Sequence, residues 1–143
     1  MKKNILYGPQ TKASLENFPF DYHRVMLEFV YAMVMIKKAA AVANYKAGKL
    51  EKKLSDKIVL ACDEILKGRY DDQFVVSAHH GGAGTSVNMN VNEVIGTLAG
   101  AHPNDHVNAS QSTNDVNPSA LKITSIKLTT KLLKSLDYLI SVF

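Results

Sequence analysis

The sequence predicts a mainly α-helical protein, and three observations carry that expectation. Apolar residues recur at helical spacing in separate stretches, Gly and Pro punctuate the chain between them, and the C-terminal stretch carries parallel apolar stripes without a break. Only Phe74-Val-Val76 reads as extended.

Residues 1–22 read as an irregular arm, because Tyr7-Gly-Pro-Gln-Thr11 and Asn17-Phe-Pro-Phe-Asp21 both hold turn formers. From about His23 to Lys46 the chain is rich in Ala, Met, Leu and Lys, which predicts a helix ended by Gly48. A second helix follows, with Ser55 or Asp56 near its start and Gly68 as its stop; Leu54, Ile58, Ala61, Cys62 and Ile65 form its apolar side. Residues 69–82 connect it to a third helix from Val87 to about Leu98. Gly100 to Asn117 reads as a loop with room for one helical turn. Asn117 then caps a last helix, with Pro118 in its first turn, running from Ser119 to Phe143. Leu121, Leu128, Leu132, Leu136, Leu139 and Phe143 mark one stripe on it, and Ile126, Leu133 and Ile140 mark another. Such a helix would extend roughly 37 Å. Its apolar face is wider than the remaining sequence can cover, so it is expected to seek partners.

The bulk numbers bound the function. A chain of 143 residues fits one domain with a real core. The net charge of +4 comes mostly from lysine, and the basic residues form no dense run with aromatics, so no nucleic-acid partner is expected. A mild positive field suits an anionic small molecule equally well. The single cysteine, Cys62, allows no intrachain disulfide and reads as a small buried hydrophobe. Lys2 and Lys3 precede no signal-peptide core, and the apolar run Val25 to Val34 is interrupted by Glu28 and too short to span a membrane. The expected location is the cytoplasm, with no membrane partner.

Three islands carry the chemistry: Gly81-Gly-Ala-Gly-Thr-Ser-Val-Asn-Met-Asn-Val-Asn-Glu93, His102-Pro-Asn-Asp-His-Val-Asn108 and Ser110-Gln-Ser-Thr-Asn-Asp115. Their small hydroxyl and amide side chains and exposed backbone N–H groups suit a carboxylate or phosphate near helix starts. The glycine-rich loop is neither a P-loop, since no Lys precedes its hydroxyl residues, nor a dinucleotide fingerprint, since its third Gly is absent. Two readings stay open for it: an anion cradle in which Gly82 and Gly84 admit a ligand to the backbone beside Thr85 or Ser86, and a plain turn capping the third helix. Asn88, Asn90 and Asn92 are poor helix formers. They read either as hydrogen-bonding groups across subunits or around a site, or as a polar exposed face. His79, His80, His102 and His106 are the candidate metal ligands. Pro103 and Asn104 break the helical spacing of the last two, and cysteine ligands are absent, so no metal is expected. Ser112-Thr113-Asn114 offers neutral donors beside Asp115, and reads as binding or capping rather than nucleophilic, because no elbow motif frames a serine.

Together these islands resemble the fumarase/aspartase superfamily, with the wording Gly-Ala-Gly-Thr-Ser and the pair Ser112-Thr113 leaning toward its aspartate ammonia-lyase branch. The arm Leu6 to Pro19, Ile36-Lys-Lys-Ala-Ala-Ala-Val-Ala-Asn44 and Asp72-Gln-Phe74 also fit, so the resemblance covers nearly the whole chain. It implies a helical protomer whose N-terminal helical domain, here residues 1–117, bears substrate-binding loops. Residues 118–143 would begin the first long helix of a central bundle, around which the family assembles as a homotetramer. It implies reversible elimination of ammonia from L-aspartate to give fumarate, without a cofactor. By position, Ala83, Gly84 and Thr85 would bind substrate, and Ser112, Thr113 and Asn114 would hold its carboxylates. His102, Pro103, Asn104 and Asp105 match the segment of a second, non-catalytic carboxylate site.

Several family features differ here. The Gly-Arg-Thr-His segment and the later Gly-Ser-Ser loop that carries the base serine do not occur in these 143 residues. The join Ile95-Gly-Thr-Leu-Ala-Gly-Ala101 is about three helical turns shorter than the family pattern, and His80 stands where Gln is frequent. The expectation is therefore a truncated lyase chain, with no catalytic residue of its own and inactive in isolation. A fumarate hydratase-type fragment and a non-catalytic binding or assembly module are the alternatives.

Overall fold

A computed structural model describes residues 4–20, 23–80 and 82–143. Lys2, Lys3, Asp21 and Gly81, which entered the readings above, lie outside the described residues. Five α-helices carry the described fold: α1 Pro9–Asn17, α2 Leu27–Lys46, α3 Lys52–Leu66, α4 Thr85–Ala99 and α5 Thr113–Val142. A 3-10 turn at Asp71–Gln73 and a π turn at Pro103–Val107 complete it, and no strand occurs among the described residues. The mainly helical class holds. The only extended pairing described is an isolated antiparallel bridge between Arg24 and Ser77.

Several boundaries differ from expectation, each for a physical reason. Within the arm residues 9–17 are helical rather than irregular: Pro9 sits in the first turn of α1, where its missing N–H is no loss. The N–H groups of that turn are taken by the Glu93 carboxylate of α4, a partner distant in sequence. Helix α2 starts at Leu27 rather than His23, because residues 24 and 25 are drawn into backbone pairing with 76 and 77. Neither Ser55 nor Asp56 caps α3. Glu51 is the N-cap, and Ser55 is buried inside the helix, donating to the Ala41 carbonyl of α2 at 3.0 Å. The last helix starts at Thr113 rather than Ser119, capped by Ser112 rather than Asn117, with Pro118 inside it. The carbonyl deprived of its partner there belongs to the exposed Asn114, where water can take the bond. Helix α5 thus runs unbroken through the expected division at 117/118.

The core forms where α2, α3 and α4 meet and α5 crosses. Val30, Met33 and Val34 of α2, Ile58, Cys62 and Ile65 of α3, and Val91, Val94 and Ile95 of α4 are fully buried in it. Only the first turns of α5 join this core, through Val116 and Ala120. Thr124 closes the contact by donating to the Glu28 carbonyl at 3.3 Å. Beyond Leu128 the helix leaves the body of the molecule, and Leu132, Leu133, Leu136, Leu139 and Ile140 are exposed. No helix among the described residues is long and apolar enough to cross a membrane.

Candidate carboxylate-binding site

The glycine-rich loop and the Ser112-Thr113-Asn114 segment each open a helix, and the fold sets those two openings side by side. Gly84 is the N-cap of α4 with φ +87°, and Ala83 before it also takes the left-handed region at φ 50°. Glycine is required at 84 because an added Cβ would overlap the Asn117 side chain of α5, besides the left-handed backbone. That side chain holds the loop: Asn117 Nδ2 donates to the Ala83 carbonyl at 2.8 Å. Gly84 thus permits the close approach of α5. One turn into α4, Asn88 Nδ2 reaches Thr113 Oγ1 at 3.3 Å. The shortened join after Val94 does not separate the two segments.

The individual side chains are poised differently. Thr85 is exposed, and its hydroxyl donates to the Gly82 carbonyl at 2.6 Å. Ser112 Oγ accepts from the Asn114 N–H at 3.1 Å, so capping is part of its role. Thr113 is half-buried, and Asn114 points outward. Hydroxyls thus lie at the openings of two adjoining helices, where unpaired N–H groups and the helix dipoles favour negative charge. A cleft of about 350 Å³ opens beside Gly84 and Asn117, walled by Val25, Phe29, Val87 and Leu128. His80 borders it with Nδ1 donating to the Ser77 carbonyl at 2.6 Å, which leaves Nε2 as the acceptor in the neutral ring.

The second group lies elsewhere. His102, Pro103, Asn104 and Asp105 build the π turn, which packs on α4 near Gly96. Gly96 is roughly 16 Å along the helix from Thr85 at 1.5 Å per residue. His102 Nδ1 accepts the Asp105 N–H at 3.1 Å and also faces Asp105 Oδ2 at 3.0 Å. His106 Nδ1 accepts from the His102 N–H at 2.9 Å. Among the described residues no group of three or more His, Cys, Asp and Glu could hold a metal ion.

The three asparagines of α4 do not form a polar exposed face. All are buried. Asn90 braces the 73–75 segment, accepting from the Val75 N–H at 3.2 Å and donating to the Gln73 carbonyl at 3.1 Å. Asn88 and Asn92 both donate to Asn108 Oδ1, at 3.3 and 3.2 Å. The same oxygen accepts from Lys37 Nζ at 2.7 Å. Lys37 is fully buried in α2, and burial lowers its pKa to about 7. Lys37, Asn108, Asn117 and Glu93 are the residues that sequence reasoning left without these roles. Lys37 was the legible one, since it falls at the buried phase of α2 with Val30, Val34 and Ala41. The contacts of Asn108 and Asn117 bridge distant segments and have no local signal.

A sequence model of a lyase family matches residues 1–143. The chain belongs to the fumarase/aspartase superfamily. Among curated members, an aspartate ammonia-lyase of Bacillus subtilis is 44% identical, covering 100% of this chain and 33% of its own length. A class II fumarate hydratase of Prochlorococcus marinus is 42% identical over 96% of this chain and 32% of its own. Among solved superfamily structures, a fumarate lyase:delta crystallin from Brucella melitensis superposes with a TM-score of 0.91 at 42% identity, covering 96% of this chain and 35% of that one. A class II fumarase from Schistosoma mansoni gives 0.82 at 40% identity, covering 87% and 29%. The chain thus spans about a third of the length of the curated superfamily relatives it matches. Relatives of both chemistries stand at similar identity, so superfamily membership is shown without a choice between them.

Proposed function

We propose that this chain supplies the carboxylate-binding part of a lyase site that interconverts L-aspartate with fumarate and ammonia. The observation that carries the reading is the adjacency of the two helix openings, through Asn117 to Ala83 and Asn88 to Thr113. Thr85, with the backbone of Ala83 and Gly84, would bind one end of the dicarboxylate. Ser112, Thr113 and Asn114 would hold the carboxylate that gains charge when the adjacent carbon loses its proton, and donors aimed there lower that barrier. In this reading residues 118–143 belong to a central bundle, copies of the chain cover the exposed stripe of α5, and His102 to Asp105 form a separate carboxylate site. The Gly-Ala-Gly-Thr-Ser wording favours the ammonia-lyase, while the fumarate hydratases among the relatives support hydration of fumarate as the second reading.

NMR titration of the 143-residue chain with succinate, fumarate and L-aspartate tests the site. A few neutral and charge-assisted hydrogen bonds, less the cost of association, give an affinity on the order of millimolar. Shifts are expected at 83–85 and 112–114. Shifts confined to His79, His80 or His106 would place the ligand elsewhere.

A further inference from the structure

A lysine without a carboxylate partner at full burial is a costly choice, because an apolar residue of similar length would fill the same space with no charge to desolvate. Among the described residues Lys37 Nζ donates to one side-chain oxygen, Asn108 Oδ1. That oxygen also receives the amides of Asn88 and Asn92. The Asn88 amide is shared between Asn108 Oδ1 and Thr113 Oγ1, both at 3.3 Å. Lys37 thus stands at one end of a chain of polar groups, and a carboxylate-binding hydroxyl stands at the other.

We propose that Lys37 is a positioning residue for this site: through Asn108 and Asn88 it sets the direction in which the Thr113 hydroxyl donates. This rests on the reading of Thr113 as a carboxylate donor. An amide side chain has a donor end and an acceptor end, and reversing one member of a chain reverses the next. With Asn108 Oδ1 turned toward Lys37, Asn88 must present its NH2 group, and Thr113 Oγ1 accepts from it. The single hydroxyl hydrogen of Thr113 is then free to point outward to a ligand. With Asn108 reversed, Asn88 would turn its carbonyl oxygen, now buried without a partner among the described residues, into the same place. Thr113 would then donate inward and offer the ligand only lone pairs, which repel a carboxylate. Two contacts oppose that reversal: Asn108 Nδ2 donating to the Gln111 carbonyl at 3.1 Å and, while Lys37 holds its proton, the shorter, charge-assisted bond from its ammonium, so the variants are compared at pH 6.

Three variants of the 143-residue chain, titrated with succinate, separate this idea from the site itself. T113V removes the donor and should lose binding. K37M should weaken binding about ten-fold, the low end for losing a hydrogen bond to a charged group. N88D places an acceptor-only group against Thr113, so it should weaken binding at least as much as K37M, and by more than its shift in urea midpoint accounts for. A merely structural role for the cluster would make binding follow stability across K37M and N88D. If T113V loses binding while K37M and N88D keep wild-type affinity, the inference is overturned and the site stands. If the wild-type chain binds no succinate, or T113V binds as well as wild type, the site reading itself fails. Ligand-free spectra then decide the coupling: the Thr113 methyl and Asn88 side-chain amide signals should move in K37M, and an unmoved Thr113 methyl overturns it.

Discussion

Glu93 of α4 clamps Thr11 of α1, its Oε2 accepting from the Thr11 hydroxyl at 2.6 Å and from its N–H at 3.1 Å, across 82 residues of sequence. The same carboxylate takes the N–H of Gly8 at 2.8 Å and of Gln10 at 2.9 Å. It does from a distance what a capping side chain does locally, placing negative charge at the start of α1.

Glu93→Gln therefore should release the arm. The replacement keeps the shape but turns an NH2 group toward backbone donors, among them the buried Thr11 N–H. We expect a loss of at least about 2 kcal/mol in urea unfolding, with faster hydrogen exchange at the amides of residues 8, 10 and 11. Unchanged exchange there would contradict the capping role.

Lys37 should make stability rise with pH above neutrality. Its pKa of 10.5 in the unfolded chain falls to about 7 in the fold. Below pH 7 both states hold the proton and the buried cation carries its full desolvation penalty. Above pH 7 the unfolded chain binds more protons, so stability climbs by up to about 1.4 kcal/mol per pH unit. Burial pushes the Cys62 thiol from 9.0 up to about 12, which opposes the climb above pH 9. Burial and the Asp71 hydrogen bond raise Tyr31 to about 12, adding a decline above pH 10. Urea midpoints between pH 6 and 9 read the slope. K37M should flatten it, and an equal slope in K37M would refute the assignment.

Gly84→Ala should disturb the candidate site from within. The new Cβ overlaps Asn117, and the left-handed backbone adds strain of about 1–2 kcal/mol. Calorimetry should show a lowered Tm, and the Asn117 side-chain amide signal should move as its bond to Ala83 breaks. A Tm equal to wild type would mean that the loop is free to shift.

The two ends of α5 should respond to mutation in opposite ways. Val116, buried in its first turn, should lose about 2 kcal/mol on truncation to Ala. Leu136→Ala, on the exposed far end, should change monomer stability by less than about 0.5 kcal/mol. Its effect belongs to association: light scattering of the wild-type chain should show particles larger than a monomer, and charged substitutions at Leu132 and Leu136 should shrink them. A monodisperse wild-type monomer at micromolar concentration would count against a binding role for the stripe.

What the sequence by itself determined were the features with local or periodic causes. The helical class, the apolar side of α3 with Cys62 buried in it, and the third helix follow from side-chain spacing and glycine punctuation, which act within a few residues. The candidate binding residues were legible because small hydroxyls and glycines at a helix start serve no core. Only the tertiary structure decided that the arm is a helix, because its cap comes from Glu93 on another helix. It alone joined Ala83 to Asn117 and Thr113 to Asn88, and it alone turned Asn88, Asn92 and Lys37 inward onto Asn108. Each of these depends on a buried polar group finding a partner distant in the chain. Local propensity carries no record of that partner, since the pairing exists only after packing has removed the water that would otherwise satisfy both groups.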